Sequence, residues 1–97
     1  MKFNSEILEV IHNHAAQRFE RHIGEYTPVL DYRLQDGVIA FTHTGVPSAL
    51  EGNGIGGTIV RAGLDHARVQ GYKVIPLCSF VAAYIRRNPE YEDLLIR

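Results

Sequence analysis

Apolar and polar residues alternate with a period of two between residues 29 and 44. Leu30, Tyr32 and Leu34 share one side of a strand, with Asp31 and Arg33 on the other, and the alternation resumes after Asp36-Gly37 as Ile39, Phe41 and His43. Asp-Gly supplies the positive φ angles of a type I′ turn, so the segment predicts a β-hairpin with one apolar face. Past Val46-Pro47, the stretch Ser48 to Gly57 is too rich in glycine for the interior of a strand or helix. From about Gly56 to Gln70 the spacing becomes helical. Ile59, Val60, Gly63, Leu64 and Ala67 fall on one face, and Gly71 stands where a helix-terminating glycine belongs. Lys73 to Cys78 has strand character, and Ser79 to Asn88 predicts a second helix that Asn88-Pro89 ends. A further short helical turn is expected within Glu90 to Ile96.

The first 25 residues admit two readings. Ile7, Ile11, Ala15 and Phe19 recur every four residues and would line a helix. Alternatively, Leu8–Asn13 and Gln17–Ile23 form two strands joined across His14-Ala15-Ala16, giving the downstream helices a wider sheet to pack on.

A chain of 97 residues is expected to be a single domain spanning 1–97, and 45% apolar with 22% charged residues is ordinary globular composition. Ten Lys/Arg against eleven Asp/Glu, with no basic run, leave no electrostatic footprint for nucleic acid. No apolar stretch approaches the ~18–20 residues that span a bilayer. Met1 to Glu6 lacks an apolar signal core and Cys78 is the single cysteine, so the expected compartment is the cytoplasm. His12-x-His14 has no recognisable third ligand, and no metal is expected.

The order strand, glycine loop, helix, strand from residue 38 to 78 is a β-α-β unit with parallel strands, in which ligands bind beyond the strands' carboxyl ends. Loop amides and the helix N-terminus together form an anion cradle, and a diphosphate is the natural guest. Gly52, Gly54 and Gly57 satisfy G-x-G-x-x-G, but a dinucleotide fold wants an acidic residue near the end of the next strand, where Cys78 stands. Gly57-Thr58 has no lysine between its members, which excludes a Walker loop.

His43-Thr44-Gly45-Val46-Pro47, Glu51-Gly52-Asn53-Gly54-Ile55-Gly56, Pro76-Leu77-Cys78-Ser79-Phe80-Val81 and Arg87-Asn88-Pro89-Glu90-Tyr91 occur in this order along the chain. Together they resemble the GNAT superfamily of N-acetyltransferases, most nearly its small YjdJ-like branch. The resemblance implies an α/β (α+β) fold: a mixed, mostly antiparallel sheet with a β-α-β crossover, two to three helices, and fourth and fifth strands that splay to admit a pantetheine arm. It favours strands at the N-terminus, where Asn13 and Arg18-Phe19-Glu20 resemble the family's first hairpin. It implies acetyl-CoA as donor, held by Glu51, Gly52, Asn53, Gly54, Ile55, Gly56, Gly57 and Thr58. Val46, with Thr44 beside it, would contact the pantetheine or polarise the thioester carbonyl. Glu51 occupies the family's Gln/Arg position, and a carboxylate there is expected to weaken the cofactor's hold.

Cys78 is expected at the mouth of the site, as an acetyl carrier or as channel lining, since a thiol near a helix N-terminus is favoured as thiolate. By the same resemblance Tyr84 would protonate the departing thiolate or pack in the core. His43 would act as base or as a structural histidine, and Arg87 and Asn88 would touch phosphates or close a helix. The sequence therefore predicts an N-acetyltransferase acting on a primary amine, with a non-catalytic CoA-binding module as the alternative. Neither the acceptor nor the oligomeric state is written in it.

Overall fold

The computed structural model describes residues 10–96. Ile7, the start of the candidate first strand at Leu8, and the Met1 to Glu6 segment lie outside them. The N-terminal ambiguity resolves to strands. β1 (Ile11–Asn13) and β2 (Arg18–Glu20) are joined by a tight turn in which the Gln17 amide donates to His14 O at 3.1 Å, and Asn13 Oδ1 accepts from the Ala16 amide at 3.1 Å. These strands are shorter than the sequence suggests. A helix would have buried one face of Ile11 and Phe19 alike, whereas Ile11 is exposed and Phe19 reaches the core.

β3 (Val29–Gln35) and β4 (Val38–Gly45) form the predicted hairpin, with Asp36 and Gly37 both at positive φ, 52° and 77°. α1 (Ile55–Gln70), β5 (Lys73–Pro76) and α2 (Ser79–Arg87) follow, and a 3-10 helix spans Pro89–Leu94. The sheet order is β1-β2-β3-β4-β5, antiparallel except for the β4/β5 pair. The fold is thus the mixed, mostly antiparallel α+β arrangement expected.

α1 packs on the face carrying Leu30, Tyr32, Ile39 and Phe41. Gly63 permits this closeness, because a Cβ there would sit 2.9 Å from Leu30 Cδ2 and 3.0 Å from Phe41 Cε1. Leu30, Ile39, Phe41, Ile59, Val60 and Leu64 are completely buried, each contributing roughly 1.5–3 kcal/mol by leaving water. Among the described residues, no helix is long and apolar enough to cross a membrane.

One expectation on the hairpin is overturned. The β3/β4 register shifts between Asp31 and Tyr32, pairing Asp31 with His43 and Tyr32 with Phe41 and leaving Thr42 as an extra residue on β4. Such a bulge reverses the alternation beyond it. Thr44, paired with Leu30, continues the core face of Phe41, and His43 turns to the opposite face with Asp31 and Val29.

Candidate active site

β4 and β5 pair from Val38/Lys73 to Phe41/Pro76 and then part, because proline has no amide to extend the ladder. The Cys78 amide still donates to Phe41 O at 3.0 Å, while β4 continues to Gly45. This divergence opens a cleft of about 390 Å³ at the carboxyl end of β4, lined by Thr44, Val46, Phe80 and every residue of the Glu51–Gly57 loop except Asn53.

The loop is built to leave helix donors free. Gly54, at φ 72°, is the N-cap of α1 and offers no capping side chain, and no acidic residue occupies the first turn. The amides of Ile55, Gly56 and Gly57 therefore end the helix as orphan donors, and the dipole adds partial positive charge. A Cβ on Gly56 would meet Phe80 Cζ at 2.9 Å, so the missing side chain is what lets the Phe80 ring approach the cleft. Phe80 lines the cleft although its motif in the sequence does not mark it as a site residue. Its cue is the i, i+4 spacing with Tyr84, whose Cε2 would lie 3.6 Å from a Cβ on Gly57.

Other candidates distribute unevenly. Asn53 turns its side chain back to donate to Leu50 O at 2.9 Å, holding the loop. The Glu51 amide is spent on Ser48 O at 3.2 Å, leaving its exposed carboxylate at the rim. Thr58 Oγ1 donates to Ile55 O at 2.7 Å and does not line the cleft. Asn88 closes α2 by donating to Tyr84 O at 2.8 Å, and Arg87 is exposed beyond the lining. His43 is on the sheet face away from Thr44.

Cys78 and Thr44 are brought together, Sγ to Oγ1 3.3 Å, across the divergence. Cys78 is half-buried at the N-cap of α2 and forms no cap hydrogen bond of ordinary geometry. Burial pushes the thiol up, but the Thr44 hydroxyl and the nearby amides of Val81, Phe80 and Thr44 outweigh it, so the group titrates below the ordinary thiol value. Tyr84 is raised by burial; Arg61 opposes this, and Asp65 and Glu90 add to it. It keeps its proton at neutral pH. Its ring neighbour is Tyr91, at 6.2 Å, and it does not line the cleft.

An uncapped helix start thus lies beside parting parallel strands, and the family model of the GCN5-related N-acetyltransferases matches residues 18–94. The chain belongs to that family. A solution NMR structure of a GCN5-like protein from Staphylococcus aureus is also similar, with 29% identity and a TM-score of 0.73 over 92% of this chain and 88% of that one. As an acetyltransferase of this family, the protein carries its glycine loop, parting strands and Cys78 at one end of one sheet.

Proposed function

We propose that the protein moves an acetyl group from acetyl-CoA to a primary amine. The observation carrying this reading is the uncapped N-terminus of α1, opening onto a 390 Å³ cleft where β4 and β5 part. The fit is physical: three unsatisfied amides suit a diphosphate, and a glycine at each of positions 52, 54, 56 and 57 leaves room for it against the main chain. The amides of Ile55, Gly56 and Gly57 would hold the diphosphate, and Thr44 and Val46 would flank the pantetheine arm. Acetyl-CoA supplies the activated acyl group.

Cys78 then stands beside the thioester. With a lowered thiol value it would take the acetyl group as a thioester of its own, releasing CoA thiol, and pass it to the amine nitrogen as its C–S bond breaks. Tyr84, still protonated, is the candidate donor to a departing thiolate, one helical turn beyond Phe80. A primary amine is mostly protonated at neutral pH and needs a base or a desolvated entry. His43 would serve only an acceptor arriving from its own face of the sheet.

The test is acetyl-CoA turnover against a panel of primary amines, with CoA titrated calorimetrically into the wild type and Gly54→Val. Valine is strained at φ 72°, so the variant should lose binding while keeping its fold. CoA binding without turnover on any amine would leave a carrier module, and equal affinity in Gly54→Val would remove the cradle.

A further inference from the structure

Among the described residues, Glu20 and Arg21 are the buried charged side chains, and they are solved differently. Glu20 accepts from His22 Nε2 at 2.8 Å and from Asn13 Nδ2 at 3.5 Å. Arg21 is 2% exposed, has no carboxylate partner among the described residues, and leaves Nε without any hydrogen bond. An unpaired buried guanidinium is costly, and Arg stays charged in proteins. Its position is informative. β2 and β4 are each antiparallel to β3, so Arg21, just after β2, lies at the end of the sheet that carries the cleft.

Arg21 Nη1 donates to Thr58 Oγ1 at 2.7 Å, and Thr58 Oγ1 donates in turn to Ile55 O at 2.7 Å. The Ile55 carbonyl and the Gly56 amide belong to one peptide plane. Drawing electron density toward that carbonyl makes the Gly56 N–H, which lines the cleft, a stronger donor. A cation beside the positive end of a helix with no acid in its first turn leaves positive charge uncompensated until an anion arrives. Glu51 at the rim works in the other direction, but it is exposed and screened, whereas the buried cation is not.

We propose that Arg21 is a positioning residue of the anion site: acting through Thr58 and the Ile55–Gly56 peptide, it strengthens the Gly56 amide for a diphosphate and offsets the carboxylate of Glu51. This rests on the CoA-binding reading above. It goes beyond that reading in assigning a role to a residue outside the cleft, 30 and more positions upstream of the loop.

The test compares wild type, Arg21→Met and Thr58→Val by calorimetry with CoA and with inorganic pyrophosphate, at low and high salt. The backbone amide NMR shifts of Gly56 and Gly57 are followed in parallel. Arg21→Met should weaken both ligands by about tenfold, the order for a partly buried charge acting on a helix end, and the loss should persist at high salt. The Gly56 amide proton should move upfield in both variants more than that of Gly57, which a purely structural role for Arg21 does not require. If Arg21→Met does not fold, Thr58→Val decides, because valine matches threonine in shape and lacks the relaying hydroxyl. Wild-type affinity and an unmoved Gly56 amide in a folded variant would overturn the relay while leaving the cradle standing. Failure of the wild type to bind CoA or pyrophosphate would overturn the cradle, and the relay with it.

Discussion

The hydroxyl of Thr44 and the thiol of Cys78 lie 3.3 Å apart although 34 residues separate them. The contact spans the gap where β4 and β5 part, and it is among the interactions that hold the thiol below its ordinary value. Thr44→Val should keep the shape and remove the hydrogen bond. The pH profile of Cys78 alkylation should move to higher pH, with slower alkylation at pH 7; an unmoved profile would show that the amides of α2 suffice.

Cys78→Ala separates two routes of transfer. If the acetyl group passes through Cys78, incubation with acetyl-CoA adds one acetyl mass to the wild-type protein, kinetics are ping-pong, and Cys78→Ala loses nearly all turnover. Direct attack by the amine predicts retained turnover in Cys78→Ala and a slower reaction in Tyr84→Phe. Intact-mass spectrometry and initial-rate kinetics read both.

Glu51→Gln should tighten CoA binding by up to ~1 kcal/mol at low salt, since it removes an exposed negative charge near a helix N-terminus. The gain should fade as salt is added. Weaker binding in the glutamine variant would mean that the carboxylate itself supports the loop.

Gly63→Ala pits two effects against each other. Alanine gains ~1 kcal/mol of helix propensity over glycine. A Cβ at 2.9 Å from Leu30 and 3.0 Å from Phe41, both completely buried, overpacks the core at a cost of typically 1–3 kcal/mol. Destabilisation should win, and denaturant unfolding should show a lower midpoint with an unchanged slope.

His12 on β1 contacts the Tyr32 hydroxyl at 2.5 Å and stacks on His14 and Phe19. Burial, then the neighbouring His14 and His66, lowers its pKa to about 4 from 6.5. The unfolded chain therefore binds this proton more tightly. The His12 contribution to stability is complete above pH 6.5 and is lost progressively as pH falls from there toward 4. Thermal unfolding across that window should show a falling midpoint, and His12→Phe should flatten the curve.

The hairpin turn at Asp36-Gly37, the limits of α1, the start of β5 and the glycine loop were legible because each is specified locally, by turn chemistry, hydrophobic period or helix punctuation; the end of β5 falls at Pro76, two residues short of the Cys78 expected. The ordered motifs carried the family. The tertiary structure decided whatever depended on partners distant in the chain. Whether residues 11–20 form strands depended on Phe19 finding Leu30 across the β2/β3 ladder. The side taken by His43 depended on one extra residue, Thr42, in the β3/β4 register, which no alternation within β4 could disclose. Phe80 became part of the cleft because Gly56 has no side chain to hold it off, and Arg21 became a buried cation because Thr58 of a later helix lay within reach. Local periods determine which elements form; the faces they turn to one another, and so the chemistry of the cleft, are set by long-range packing.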